Sequence, residues 1–103
     1  MQTTTITTAE RRAITESILS KPLLRGLDRT KTKGQALNVI SECLSNCGFN
    51  LNMVSGDTIM GDKGQRQLMF RRKGEDQSID NASINFVWED LGWNKYEFLA
   101  YVC

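Results

Sequence analysis

The side chains that most often perform catalysis or bind metals are few in this chain. It has three cysteines and no histidine. Without imidazole, Ser/His/Asp and Cys/His catalytic groups, histidine-containing zinc sites and imidazole acid-base catalysis are excluded. Cys43 and Cys47 are four residues apart in a helical pattern, so they are either two thiolate ligands, with Cys103 as a third, or small core residues. The absence of a Cys-x-x-Cys pair favours the core, and an odd number of cysteines provides no disulfide framework.

The carboxylates are scattered, and no two have a spacing that places both on one helix face or at one strand end. A two-carboxylate hydrolase or a magnesium site would need such a pair. Residues 61–64 contain two glycines but lack the Gly-Lys-Ser/Thr ending of a phosphate-binding loop, and they lie between two predicted strands. We therefore expect a non-enzymatic protein with no catalytic residue, no metal site and no cofactor.

Basic side chains offer a second kind of chemistry, which is phosphate binding. Residues 1–74 hold twelve Lys and Arg against six Asp and Glu, whereas residues 75–103 hold one against six. These charges either neutralise each other on the folded surface or steer a charged partner. A nucleic-acid-binding module would use the connector 25–33 and a basic hairpin 63–73. The cations of that hairpin are Lys63, Arg66, Arg71, Arg72 and Lys73. The formal net charge of only +1 argues against nucleic acid.

Two capping boxes mark the helices that would position these residues. Thr7 with Glu10, and Thr32 with Gln35, have the spacing in which two side chains satisfy backbone N–H groups at a helix start. The first helix should end at the following Lys-Pro step, after which one short helical turn is expected. The second should continue as an apolar stripe to Gly48, a residue suited to the left-handed conformation at a helix end.

Alternation of apolar and polar residues predicts four strands after the helices. The first covers residues 49–60 with a bulge at 55–57, the second covers 66–73, and an aromatic hairpin over 83–103 supplies the last two. The predicted fold class is α+β, with two N-terminal helices packed on one face of a four-stranded antiparallel β-meander.

Length and composition indicate one domain over residues 1–103. Hydrophobic residues make up 40% of the chain and charged residues 24%, which is typical of globular proteins and not of disordered ones. The chain has neither a long apolar span nor an apolar signal segment, so we expect a soluble, cytoplasmic protein with no membrane partner. Residues 1–6 are rich in threonine, with Ile6 as their only aliphatic anchor, and we expect them to fray.

Strand parity predicts that one sheet face lies under the helices and that the other carries apolar residues ringed by charges and amides. That arrangement is typical of protein contact surfaces, although isolated surface apolar residues are also common. Trp93, in the hairpin turn, is either a core plug or an exposed anchor. The predicted partner-binding residues are Val54, Met69, Arg71, Val87, Trp93, Leu99 and Tyr101.

These observations predict a small module that binds another protein, or a second copy of itself, through the uncovered sheet face and the aromatic hairpin. A regulator or inhibitor of a larger protein, for example an accessory protein of a phage or mobile element, fits one domain without a cofactor motif. The alternative is the nucleic-acid-binding module described above.

Overall fold

The computed structural model describes residues 4–29, 31–54 and 56–103, without the side chains of residues 53 and 54. The chain forms an α+β fold with one antiparallel five-stranded sheet. Its elements are α1 (Thr8–Leu19), a short 3-10 helix (Pro22–Leu24), α2 (Lys33–Asn46), β1 (Phe49–Val54), β2 (Thr58–Met60), β3 (Lys63–Arg72), β4 (Ile84–Gly92) and β5 (Lys95–Val102). Within the described ranges, no helix is long and apolar enough to cross a membrane.

Both helices begin at the predicted capping boxes. The Thr7 hydroxyl accepts a hydrogen bond from the Glu10 N–H at 3.1 Å, and the Glu10 carboxylate accepts one from the Thr7 N–H at 3.0 Å. Thr32 and Gln35 exchange the same two bonds at 3.2 and 2.8 Å. Each box satisfies two N–H groups that the first helical turn leaves unpaired. After α2, Gly48 has the predicted left-handed conformation, with φ of 88°.

The strand order in the sheet is β1-β3-β4-β5, and β2 also pairs with β3. β4 pairs with the same β3 residues as β2 does, so β2 lies on the side of β3 that β1 occupies. The sequence predicts four strands, and the structure has five because the segment 49–60 is divided between β1 and β2. Ser55, the first residue of the predicted bulge, lies outside the described residues.

A bulge inside β1 changes the pairing at its end. Leu51 pairs with Phe70, but Met53 pairs with Met69 and Val54 pairs with Leu68, so one extra residue lies between the two registers. Uninterrupted alternation predicts Val54 on the same sheet face as Met69, in the partner-binding surface. The Val54 backbone pairs with Leu68, but its side chain lies outside the described residues, so its place in that surface stays a prediction.

The core lies between the helical segments and one face of the sheet. Buried side chains of α1, the 3-10 helix and α2 share one cluster with alternate residues of β1, β3, β4 and β5. Phe86 stacks on Phe98 with ring centroids 5.6 Å apart, and Phe49 meets Phe70 edge to face at 5.4 Å. These aromatic contacts add to the free energy that burial of apolar area contributes.

The N-terminal segment is hydrogen-bonded to the loop before β4. The side-chain amide of Asn81 accepts from the Ile6 N–H at 2.9 Å and donates to the Ile6 carbonyl at 3.1 Å. The Asp80 N–H donates to the Thr4 carbonyl at 2.6 Å, and Ile6 is buried. The sequence predicts that residues 1–6 fray. Residues 1–3 lie outside the described part, whereas residues 4–6 are held by these bonds.

Candidate protein-binding surface

The sheet face opposite the core is the candidate site, and its members follow from the strand register. We call this set of side chains the open face. It consists of Lys63, Gln65, Gln67, Met69 and Arg71 from β3, Asn85, Val87 and Glu89 from β4, and Glu97, Leu99 and Tyr101 from β5. The structure therefore brings together five of the predicted partner-binding residues; Trp93 lies in the hairpin turn, and the side chain of Val54 lies outside the described part.

The centre of the open face is apolar and accessible to water. Val87 and Leu99 are cross-strand partners, and Tyr101 is the partner of Asn85. The Asn85 side-chain amide donates to the Tyr101 hydroxyl at 2.6 Å, which fixes the orientation of the phenol. Leu99 is 48% exposed and Tyr101 45% exposed, while Val87 and Met69 are half-buried. Large apolar side chains are thus available for contact on the edge strand β5, beside the half-buried Val87 of β4.

Two shallow depressions form a groove across the open face. One has a volume of about 240 Å³ and the other about 220 Å³, and both are lined by Val87 and Lys63, so they adjoin. Leu99 lines the first and Met60 the second. Pockets for small molecules usually measure about 300 to 1,000 Å³. Each depression alone is smaller than that range and has room for one side chain of a macromolecular partner, while the two together fall within it.

One end of the groove has a rim of charges of both signs. Lys63, Glu89 and Glu97 are successive cross-strand neighbours on β3, β4 and β5. The two glutamates lie directly opposite each other, an arrangement that is unfavourable unless nearby cations compensate. Arg29 lies 3.7 Å from Glu97 in an exposed ion pair. At the outer edge, Arg25 forms an isolated bridge with Leu99 and also lines the groove.

Trp93 lies at the tip of the β4–β5 hairpin and is 95% exposed. The turn has two residues, Trp93 and Asn94, with φ of 57° and 59°. Positive φ at both central residues is typical of a type I′ turn, which suits Asn but is unfavourable for a bulky aromatic residue. Trp93 is therefore not a core plug, and its role as an anchor stays a prediction.

The five basic residues of the predicted nucleic-acid hairpin are divided between the two sheet faces. Lys63 and Arg71 lie at opposite ends of the open face, and the Arg71 guanidinium donates to the Glu75 carbonyl at 2.8 Å. Arg66 and Arg72 alternate with the buried Leu68 and Phe70 on the core side. Lys73 lies beyond the end of β3 and is exposed.

The two arginines on the core side are bound to carboxylates. Arg66 forms an ion pair with Asp57 at 2.5 Å, and its hydrogen bond lowers the pKa of Asp57. Arg72 binds Glu10 through both of its terminal nitrogens and lies 5.4 Å from the centre of the Phe49 ring. The hydrogen bond from Arg72 lowers the pKa of Glu10 to about 2. These pairs stabilise the fold and leave less positive charge available for phosphate.

The three cysteines differ in their exposure to water. Cys43 is buried in the core, Cys47 is half-buried, and Cys103 is exposed at the chain end. Burial raises the pKa of the Cys47 thiol, which makes it a poorer thiolate. In the part of the chain that the structure describes, no three Cys, Asp or Glu side chains are arranged to hold a metal ion.

Sequence reasoning missed several residues that line the groove, namely Arg25, Gly26, Thr58, Met60 and Gln65. Gln65 has the same parity as Met69, which is a signal that could have identified it. The others depend on the bridge to β5 and on the pairing of β2, which no local pattern reveals. No protein-family model, curated protein or solved structure matches this chain.

Proposed function

We propose that the protein is a non-enzymatic binding module that holds another protein against its open face, as a regulator or inhibitor of that partner. The observation that carries the proposal is the exposure of Leu99 and Tyr101 at a sheet face whose other side holds the core. An antiparallel sheet with one solvated face usually presents mainly polar residues there. Apolar residues within a polar rim are instead the usual anatomy of a contact surface.

The groove indicates how the side chains of such a partner would bind. Val87 and Leu99 supply an apolar floor, while Lys63, Glu89 and Glu97 supply charges at one end. A partner would place one or two apolar side chains on the floor and satisfy the charged groups at the rim. Such buried anchors usually account for most of the binding free energy of an interface. Trp93 would add a further aromatic contact from the hairpin tip.

The test is a quantitative affinity purification with mass spectrometry, followed by reconstitution with the purified partner. Leu99→Arg and Met69→Glu should each weaken the reconstituted complex about tenfold or more, because they place a charge in the apolar centre. Asn38→Arg, which adds the same charge to the exposed surface of α2, is the matched control and should bind as wild type. All three variants should keep the thermal midpoint of the parent. Unchanged affinity in Leu99→Arg contradicts the proposal.

A salt titration separates this proposal from the alternative, nucleic-acid binding through the connector 25–33 and the hairpin 63–73. A complex held mainly by phosphate contacts loses affinity steeply as the salt concentration rises, whereas the affinity of an apolar contact changes little. The alternative has weaker support because Arg66 and Arg72 are engaged with Asp57 and Glu10. A single-stranded oligonucleotide that bound tightly at low salt, and no longer bound at high salt, would favour it.

A further inference from the structure

β2 lies at an edge of the sheet, and all three of its residues are exposed. It pairs with β3 on one side, and no described strand pairs with its other side. Ile59 is 64% exposed and Met60 is 79% exposed. β2 is therefore an edge strand with large apolar side chains, a combination that promotes pairing with another chain.

The hydrogen-bond pattern between β2 and β3 shows which residue of β2 directs its backbone N–H and carbonyl away from β3. Met60 and Lys63 flank the two-residue turn between β2 and β3 and are cross-strand partners. In such a hairpin, the residues next to the turn exchange their N–H···O bonds with each other, and the next pair does not. Ile59, which pairs with Gly64, consequently directs its N–H and its carbonyl away from β3.

The other edges of the sheet have features that discourage pairing. The bulge between Leu51 and Met53 interrupts β1, and the bridge from Arg25 covers part of the outer side of β5. Charged residues, proline, bulges and covering segments are the usual protections of an edge strand. None of them occurs within the three residues of β2.

We propose that β2 pairs antiparallel with β2 of a second copy of this chain, about a two-fold axis at Ile59, so that one sheet continues through a homodimer. The two Ile59 residues would exchange both of their outward hydrogen bonds, and Thr58 of each copy would lie opposite Met60 of the other. An isologous contact requires a self-complementary surface, and an antiparallel edge is self-complementary by symmetry. β2 has no charged residue, so this register opposes no like charges.

A second copy fits this edge better than an unrelated strand does. The outward backbone groups of β2 belong to Ile59 alone, so any strand that paired here would gain two backbone hydrogen bonds. The two-fold arrangement adds the contact of Ile59 with its own copy, together with a Thr58–Met60 pair on each side of the axis. Thr58 and Met60 also line the second depression of the groove, whereas Leu99 lies on β5 and lines only the first, so variants of Ile59 and of Leu99 separate the edge contact from the proposed function.

The test is sedimentation equilibrium of the purified protein, from low micromolar to submillimolar concentration. We expect a monomer–dimer equilibrium for the wild type and for Ile59→Val. Ile59→Pro should be monomeric with the thermal midpoint of the isolated monomer retained, because proline is tolerated in an edge strand where the missing N–H faces solvent. Ile59→Lys should also be monomeric, since it places two ammonium groups opposite each other, and it replaces the proline variant if that variant does not fold.

Two results would overturn the inference. One is a wild-type protein that stays monomeric over the whole concentration range. The other is a dimer that persists in Ile59→Lys but dissociates in Leu99→Arg, because self-association would then use the open face. A dimer that Leu99→Arg leaves intact and Ile59→Lys dissociates supports the edge contact, whatever the result for the binding of another protein.

Discussion

The indole of Trp88 lies directly on Gly64, its cross-strand partner in β3. A Cβ atom at position 64 would overlap the indole atoms Cε2 and Cζ2, so the close packing of Trp88 requires a glycine there. The ammonium group of Lys33, at the start of α2, lies 4.8 Å from the ring centroid. Trp88, which lies in β4, thus contacts both the first turn of α2 and β3.

Gly64→Ala should therefore destabilise the protein by about 1 to 3 kcal/mol, the usual cost of overpacking in a core. Chemical denaturation with urea measures the change. Gly56→Ala is the matched control, because an added Cβ there meets no atom within 4 Å. It should be neutral or slightly stabilising, since it restricts the unfolded chain. Equal stability of the two variants would show that the indole can move aside without cost.

Trp93→Asn should stabilise the protein by about 0.5 to 1 kcal/mol, because Asn adopts the left-handed conformation at lower cost than Trp does. The same change should weaken binding of the partner, because it removes the exposed indole. Asn94→Gly relaxes the other residue of the turn and keeps the indole, so it should stabilise the hairpin without a change in affinity. A lower thermal midpoint in Trp93→Asn would mean that the indole packs against the protein.

The Glu10–Arg72 pair should make stability depend on pH in acid. The pKa of Glu10 is lowered from 4.5 to about 2 in the folded protein, first of all by the hydrogen bond from Arg72. The unfolded chain binds the proton more tightly, so the stabilisation is complete above about pH 4.5 and is lost as pH falls to about 2. Urea denaturation at successive pH values measures this loss.

Glu10→Gln should reduce the loss in that acid range and lower stability at neutral pH by about 1 to 2 kcal/mol, because Arg72 keeps a partly buried charge without its partner. Glu16→Gln, on the exposed side of the same helix, is the control. If both variants retain the acid sensitivity of the wild type, other carboxylates are responsible for it.

Asn81→Ala should release the N-terminal segment, because it removes both hydrogen bonds to the Ile6 backbone. We expect a loss of about 1 to 2 kcal/mol and faster hydrogen exchange at the Ile6 amide. Asn81→Asp retains an acceptor for the Ile6 N–H but faces the Ile6 carbonyl with an oxygen, so its effect should be intermediate. Unchanged exchange in Asn81→Ala would indicate that burial of the Ile6 side chain holds the segment by itself.

Local sequence signals predicted the elements of this fold well. The hydroxyl and the acceptor side chain of each capping box are only three residues apart, so Thr7 and Thr32 identify the helix starts without tertiary information. The αL conformation of Gly48 and the aromatic hairpin are equally local. The open face on β3, β4 and β5 followed because those strands keep uninterrupted alternation over the residues that form it, and the register shift of β4 comes only after Asp90.

The features that the sequence did not predict depend on segments far apart in the chain. The bulge in β1 arises where β1 meets β3, so its effect on Val54 cannot be read from residues 49–54 alone. The Ile6 N–H is hydrogen-bonded to the side chain of Asn81, 75 residues away, and not to the backbone of a neighbouring strand. Such a contact leaves no periodic pattern in the sequence. The partners of Arg66 and Arg72 are carboxylates that precede β3, one of them at the start of α1.

The chain has two tryptophans, and their surroundings are opposite: Trp88 is buried and Trp93 is exposed. Tryptophan fluorescence should therefore have two components. Trp88 should emit at shorter wavelength and resist quenching by iodide, whereas Trp93 should emit at longer wavelength and be quenched. Unfolding would change the first, and docking of a protein over the hairpin tip would shield the second. A single quenching experiment on the unlabelled protein can thus distinguish loss of structure from engagement of a partner.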